Sequence, residues 1–592
     1  MGCPPFRRAS AALASAWNKG RRMSDDAPKG LARNASSYGD RDMALYLRRS
    51  FMLSMGWSRA ALARPTVGIC DTSSGLNNCH RHFPDLVRAV ERGVLAAGGL
   101  PLQFPTISVC EPSLSPCSMY YRNLAAIDTE EMMRAQPLDA VVLLGGCDKT
   151  VPAQLMAAVS ANVPAVMVVG GPMMATRFEG ERLSACTDCR RFWARFRAGE
   201  VDAARIERIE GNLATTTGTC GVMGTASTMA CLAETLGFLL PGTAAIPAVH
   251  ADRLRAAEAS GALAVRLATA KSPIRPRDLV TRESVENALR VLLALSGSTN
   301  AIVHLAAIAG RAGLTLDLHR LNALSDETPV LVDLKPTGQG YMEDFHAAGA
   351  MGAVLRRLKP LLHLDTPTIA GETLGERLAR DEAGFVDPAV IRPREDPISP
   401  VGGLVALFGS LAPRGAILKR AAADPSLFET EARAVVFESL PDMAARIDDP
   451  ALDVTPADIL VLKNAGPKGG YGMPEAGYLP IPRKLAAAGV KDMIRISDAR
   501  MSGTAYGTIV LHIAPEAAEG GPLALVQSGD RIRLSVTQRR LDLLVDEATL
   551  AARRAAWRPP PPAARGWDLL WQREVLQADE GVDFAFLRQG GK

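Results

Sequence analysis

No cysteine follows Cys231 in a chain of 592 residues, and all ten cysteines lie at or before it. A disulfide-stapled secreted scaffold is short and spreads its cysteines through the fold, so this distribution points instead to a reducing compartment where thiols serve chemistry or packing. No run of about 18 apolar residues occurs, which argues against a membrane-spanning helix. Acidic residues are missing before Asp25, where Arg7, Arg8, Lys19, Arg21 and Arg22 account for more than the whole formal charge of +4. The remaining body is near neutral and offers no electrostatic case for nucleic acid or a membrane surface. The acid-free, Arg- and Ala/Ser-rich stretch Met1–Arg22 has the composition of an organellar transit peptide. The preferred alternative is a start at Met23 and a cytoplasmic location.

Hydrophobic residues make up 47% and charged residues 22%, which excludes a largely disordered chain. The length is too great for one hydrophobic core and suggests two to four domains. Short β-branched runs at Thr66–Cys70, Ala140–Leu144 and Pro164–Val169 read as buried parallel strands. Helical patterns at Asp85–Ala97 and Thr129–Ala135 alternate with them, so the class is α/β. Ala226–Leu240 and Ser284–Ala309 read as longer apolar helices. The second is broken at Gly297-Ser298-Thr299-Asn300, a candidate helix N-terminus for an anion. A Pro-rich, charged texture around Asp365–Gly403 marks a domain boundary. Beyond it, short strands at Ala434–Phe437, Ile459–Leu462, Met493–Ile496, Thr508–Ile513 and Arg531–Val536 predict a smaller β-rich α/β domain. Pro559–Pro562 is a stiff spacer before an apolar tail, Trp567–Leu587, expected to pack on its own body or on a partner subunit. There is no internal repeat.

The turn Gly145-Gly146-Cys147-Asp148-Lys149-Thr150 directly follows a buried strand, where open α/β sheets collect ligands. It is not a nucleotide-binding P-loop, because Asp148 stands where the second glycine belongs. A soft thiolate beside a hard carboxylate can serve two different metals. Equally, the turn can be structural, with Lys149 paired to Asp148. Cys79 and Cys220 lie at two other loop-to-helix junctions, where the positive helix end stabilises a thiolate. Three cysteines from three loops can hold an iron–sulfur cluster with one iron position vacant, and such an iron is a Lewis acid. Cys186-Thr187-Asp188-Cys189 is the single C-x2-C, and no second metal half-site completes it, so its thiols are read as packing, as are Cys70, Cys110, Cys117 and Cys231. In the C-terminal part, the loop Gly466–Glu475 carries a carboxylate. Ser502, in Ser497–Thr504, has no nearby histidine to make it a nucleophile: it is either a base with a strongly lowered pKa or part of a plain turn.

The strings CDKTVPAQLMAA, TASTMAC, LSGSTNAIVHLAAIAGR, GPKGGYGMPEAG and RISDARMSGTAYGT closely resemble those of the dihydroxy-acid and 6-phosphogluconate dehydratase family, in order and from about Thr66 to the tail. The resemblance implies a hydro-lyase that turns a 2,3-dihydroxy carboxylic acid into a 2-oxo-3-deoxy acid with an iron–sulfur cluster and Mg2+. It makes Cys79, Cys147 and Cys220 the cluster ligands, for a 2Fe–2S rather than a 4Fe–4S centre. Glu111, Asp148 and Glu475 become Mg2+ ligands together with Lys149 as a carbamate, and Ser502 becomes an alkoxide base. Ser298, Thr299, Asn300 and Thr504 are candidate substrate contacts.

Val109-Cys110-Glu111 and Arg122-Asn123-Leu124-Ala125 resemble the sugar-acid (pentonate) branch. The loop Ser74–Phe83 departs from the usual SELTPCNxHF, with Gly75 for the acidic residue and Asn77-Asn78 for Thr-Pro. The resemblance also implies an α/β architecture in which a large N-terminal parallel-sheet domain and a smaller barrel-like C-terminal domain enclose the site between them. The expected division is a leader and arm at 1–65, the cluster-bearing domain at 66–385, and the β-rich domain with its docking tail at 400–592. The expected partners are a small polyhydroxy acid and further copies of the chain, as homodimer or homotetramer. The first reading is a sugar-acid dehydratase. Its alternatives are dihydroxyisovalerate dehydration and a non-catalytic paralogue that binds a cluster or sugar acid.

Overall fold

The computed structural model describes residues 28–381 and 384–588; the leader Met1–Arg22 lies outside the described residues. Four parallel strands, β1 (Thr66–Asp71), β2 (Leu100–Pro105), β3 (Ala140–Gly145) and β4 (Ala165–Val169), form a sheet in the order β2-β1-β3-β4. Every residue of β1, β3 and β4 is buried. Such strands are covered on both faces, which is why they read as continuous Val/Ile/Leu runs rather than alternating ones. The helices Phe83–Ala96 and Ala251–Thr269 pack against each other and the sheet, and Ser118–Ala135 packs on Thr150–Ala161. A hairpin, β5 (Thr176–Phe178) and β6 (Glu181–Leu183), stands apart from the sheet.

The second sheet has eight strands: β7 (Val405–Leu407), β8 (Gly415–Leu418), β9 (Glu429–Phe437), β10 (Ile459–Leu462), β11 (Arg495–Ser497), β12 (Ile509–Ala514), β13 (Arg531–Ser535) and β14 (Arg540–Leu543). Their order is β14-β13-β9-β10-β11-β12-β8-β7. The central run β9 to β12 is parallel, and antiparallel strands flank it. Phe408, just after β7, exchanges backbone hydrogen bonds of 2.9 and 2.8 Å with Arg539 and Leu541 around β14, so the two edges nearly close into a barrel. That closure removes edge strands that would otherwise offer unpaired backbone to other chains. The molecule is thus α/β, with a parallel sheet followed by a barrel-like mixed sheet. Among the described residues no helix is long and apolar enough to cross a membrane.

One difference from the sequence reading concerns a helix: the pattern at Thr129–Ala135 belongs to a helix that begins at Ser118. The expected break in Ser284–Ala309 is present, between the helices Arg282–Ala294 and Asn300–Arg311. The buried first half of the Ser118 helix carries Tyr120, Arg122 and Asn123, which hide its apolar periodicity.

The tail docks on its own chain. Arg311 donates to Asp583 at 2.6 and 3.0 Å, with both side chains fully buried, and Arg122 donates to the carbonyls of Gly581 and Val582 at 2.8 and 2.9 Å. Trp571 is fully buried and its indole N–H donates to the Pro467 carbonyl at 2.8 Å. The tail therefore grips the helices Ser118–Ala135 and Asn300–Arg311 with one hand and the Gly466–Glu475 loop with the other. Arg311 also pairs with Glu130 at 3.1 Å, so losing Asp583 leaves the buried guanidinium with one of its two carboxylates, at a cost below the about 3–5 kcal/mol of a fully orphaned buried charge. Asp583→Ala should therefore lower the thermal unfolding temperature in scanning calorimetry, with Asp583→Asn falling between it and the parent.

Candidate active site

The carboxyl ends of β1 and β3 bring the first thiols together. After β3, Gly146 passes so close to the neighbouring loop that a Cβ there would meet His80 Cδ2 at 2.9 Å and the Cys79 carbonyl at 3.1 Å. The Cys147 amide donates to His80 Nε2 at 2.8 Å, and His80 Nδ1 lies 2.9 Å from the Thr72 carbonyl. A carbonyl only accepts, so the proton is on Nδ1 and the ring is neutral. Burial also pushes its pKa down to about 3, well below the ordinary 6.5. His80 thus fixes the backbone between Cys79 and Cys147.

Cys220 comes from the loop before the helix Thr225–Thr235. The unusual Asn77-Asn78 pair ties this loop to the Cys79 loop. Asn77 Oδ1 accepts from the Cys79 amide at 3.1 Å, Asn78 Nδ2 donates to the Thr216 carbonyl at 3.2 Å, and the Asn78 carbonyl accepts from Thr217 Oγ1 at 2.9 Å. The Cys186 thiol, read from sequence as packing, lies 3.1 Å from the Cys220 thiol.

Beside the thiols stands a group of oxygen donors. Glu111, Asp148 and Glu475 each present an oxygen within 4.8 Å of the others. Cys147 Sγ is 3.6 Å from Asp148 Oδ1, so the sulfur and oxygen groups adjoin. Fully buried Lys149 contacts Asp148 and reaches Glu111 at 3.4 Å. Arg500 forks between the two sheets, donating to Glu475 at 2.6 Å and to Glu111 at 2.7 Å. Burial would raise the Glu111 carboxyl, but Arg500 and Lys149 outweigh it and hold it at about 2, below the ordinary 4.5. Glu475 is raised, by its own burial first and by the Glu111 charge second. Three carboxylates converging with a lysine form a hard-oxygen donor set suited to a small divalent cation.

Ser502 Oγ is 2.8 Å from Thr504 Oγ1. Its loop packs on the helix break, where a Cβ at Gly503 would meet the Thr225 amide and Ser298 at 2.7 Å. Asn300 Nδ2 donates to the Met501 carbonyl at 3.0 Å and to Thr225 Oγ1 at 3.1 Å, and Ser298 Oγ is 2.8 Å from Thr225 Oγ1. Ser298 and Asn300 are therefore hydrogen-bonded to the loop and its supports. Thr299 Oγ1 is buried with no hydrogen-bond partner among the described residues. The break expected as an anion site holds the Ser502 loop in place.

Sequence reasoning passed over His80, Arg500 and Arg190, which reaches Glu475 at 3.5 Å. Arg500 had one signal, a lone cation in a loop of small residues two positions before Ser502.

Models of the N-terminal and C-terminal regions of dihydroxy-acid/6-phosphogluconate dehydratases match residues 64–377 and 389–582. The chain belongs to this dehydratase family and is a hydro-lyase. It is 45% identical over 572 residues to the L-arabonate dehydratase of Azospirillum brasilense, covering 95% of this chain and 97% of that one. The 6-deoxy-6-sulfo-D-gluconate dehydratase of Pseudomonas putida is 43% identical, with 89% and 91% covered. The dihydroxy-acid dehydratase of Syntrophobacter fumaroxidans is 39% identical, with 87% and 92% covered.

A histidine held neutral in the fold takes up a proton on unfolding once the pH drops below its ordinary value. Its contribution is therefore complete above 6.5 and lost as pH falls toward about 3. His80→Gln should be less stable than the parent at about pH 7, with the gap in melting temperature narrowing toward about pH 5.

Proposed function

We propose that the chain dehydrates a sugar acid of the aldonate type to its 2-oxo-3-deoxy acid. The observation that carries this is the junction of thiols, three carboxylates and the Ser502 loop at the meeting of the two sheets, with Cys147 Sγ and Asp148 Oδ1 3.6 Å apart. Cys79, Cys147 and Cys220 would hold a 2Fe–2S cluster, and Glu111, Asp148 and Glu475 would hold Mg2+. Lys149 lies among these carboxylates, where a carbamate on Nζ would add a further anionic oxygen. When bound, the cluster supplies a Lewis acid for the departing C3 hydroxyl, and Mg2+ supplies a hard cation for the substrate carboxylate and C2 hydroxyl.

Ser502 would remove the C2 proton. As an alkoxide it is acceptor-only, so the Thr504 hydroxyl 2.8 Å away would donate to it and orient its lone pairs. Asn300 and Gly503 would keep that loop seated, and Arg500 would keep Glu111 ionised and aligned with Glu475 across the two sheets. After C2 deprotonation and loss of the C3 hydroxyl, the enol tautomerises to the oxo acid. Domains at 66–385 and 400–592 would then divide the work: sulfur and two carboxylates from the first, Glu475 and the base from the second. The enzyme would act in the cytoplasm as a homodimer or homotetramer.

The sugar-acid class is favoured by relatives named for L-arabonate and sulfogluconate at 45% and 43% identity. A second reading, dehydration of 2,3-dihydroxyisovalerate, is favoured by the 39% identical dihydroxy-acid dehydratase. A non-catalytic paralogue is disfavoured by the complete set of thiols, carboxylates, lysine and serine. Anaerobically reconstituted protein should release a 2-oxo acid from aldonates faster than from dihydroxyisovalerate; a holoprotein inert toward both would sink the enzyme reading. Ser502→Ala should lose on the order of 100- to 10,000-fold in kcat, as expected for removal of a general base, while retaining its visible absorption. Cys147→Ser should lose that absorption.

A further inference from the structure

The helix Thr187–Arg197 has no place in the chemistry above, yet it is fastened across the site at both ends. Thr187 Oγ1 donates to the Thr504 carbonyl at 3.1 Å, beside Ser502. At the other end Arg197 donates to both oxygens of Asp448, at 2.8 and 2.7 Å, and to the Ile481 carbonyl at 3.1 Å. Fully buried Asp188 ties the first turn back to its own side through Lys335 at 3.0 Å, Tyr341 at 2.8 Å and the Ser184 amide at 3.0 Å. Arg190 stands three residues after Thr187 and seven before Arg197, on the helix face that those two clamps define. Its guanidinium lies over the Tyr478 ring, 5.2 Å from the centroid, and reaches Glu475 at 3.5 Å. Arg495 lies 5.3 Å from the same centroid and donates to the Tyr478 carbonyl at 3.0 Å, so the ring on which Arg190 rests is itself held. These contacts use none of Arg190's donors. At 3.5 Å the Glu475 contact is a loose ion pair rather than a hydrogen bond, and Nε is buried without a hydrogen-bond partner among the described residues. A buried donor in that state costs free energy until something accepts from it.

We propose that Arg190 selects the substrate by donating to hydroxyls of its chain beyond C3, an inference that rests on the sugar-acid reading above. The cations of the site are graded in exposure. Lys149 and Arg500 are buried among the carboxylates, whereas Arg190, beside Glu475, is 24% exposed and marks the side that opens to solvent. A substrate held by its carboxylate and C2 hydroxyl at the carboxylate group, with C2 toward Ser502, leads its remaining carbons out along that side, past the helix Thr187–Arg197. An aldonate carries hydroxyls there, whose lone pairs suit a guanidinium fork. Dihydroxyisovalerate carries only methyl groups, which would cover Nε without accepting from it. A site built to hydrogen-bond a hydroxyl rejects the analogue that lacks it far more strongly than an apolar pocket rejects an added group. The Tyr478 ring and the two clamps hold the fork in place before substrate arrives, so little freedom is lost when it donates.

The test uses full-length protein reconstituted anaerobically with ferrous iron, sulfide and Mg2+, as parent, Arg190→Gln and Arg190→Lys, assayed on a pentonate and on dihydroxyisovalerate. Arg190→Gln should raise KM for the pentonate about 10- to 100-fold, the range for losing hydrogen bonds from a charged donor, while kcat/KM for dihydroxyisovalerate stays within about threefold of the parent. Arg190→Lys keeps the charge without the fork and should fall between. Visible absorption and bound Mg2+ should match the parent in both variants, which a role confined to steadying Glu475 would not allow. Binding is read without turnover in a Ser502→Ala background, where titration calorimetry should show the pentonate weakened by the same factor once Arg190 is replaced by Gln. Equal losses on the two substrates, loss of Mg2+, or an unchanged KM and affinity for the pentonate would each overturn the assignment. A parent that turns over neither substrate, or prefers dihydroxyisovalerate, would bring down the sugar-acid reading and this inference with it. A parent that prefers the pentonate yet is indifferent to Arg190 would sink this inference alone.

Discussion

Arg500 closes the site by forking between Glu111 and Glu475, 2.7 and 2.6 Å away, from a fully buried position. Glu111 precedes the helix Ser118–Ala135 in the region of the parallel sheet, and Glu475 lies on a loop between β10 and β11 of the barrel-like sheet. Two carboxylates brought this close in a low dielectric repel each other. A planar guanidinium with a rigid fork of donors can satisfy both at once, which a lysine ammonium cannot do with the same geometry. The contact therefore sets the register of one sheet against the other. Asp148, Lys149 and the thiols of Cys79 and Cys147 are already fixed by the first sheet and inherit their relation to the Ser502 loop through it.

Local signals found the strands that obey one pattern and missed those that do not. β1, β3 and β4 are short β-branched runs buried on both faces, so composition alone marks them. β2 contains Pro101 and Pro105, which read as turn residues although the strand pairs with β1 along its length. β7, β8 and β14 are only three or four residues long and carry too little pattern to register. The helix at Ser118 was seen only in its second half because its buried face is polar, devoted to gripping the tail.

For the site, the thiol, carboxylate and amine of Cys147-Asp148-Lys149 were legible because they follow a buried strand. Cys79 and Cys220 announced themselves as loop-to-helix thiols. Glu475 and Ser502 had roles only through family resemblance, since nothing local tells a functional Gly/Pro loop from an ordinary turn. Arg500 acts on a carboxylate 389 positions away, a distance over which single-sequence patterns carry no information. In sequence, Asn77-Asn78 shows only as a departure from the family's usual Thr-Pro. In the fold its amides lace the Cys79 and Cys220 loops together, so a difference in sequence has become a difference in how two loops are joined.

The clamp made by the tail gives assembly a direction. Every sulfur donor lies at or before Cys220, so all of them are in hand early in synthesis. The loop that brings Glu475 is held by Trp571 through Pro467, and the tail itself by Arg311 and Arg122 through the segment around Asp583. A nascent chain can gather its thiols long before it can lock its last carboxylate. In the proposed site the sulfur donors would thus gather before the oxygen donors, and the docked tail is what holds the Glu475 loop in place.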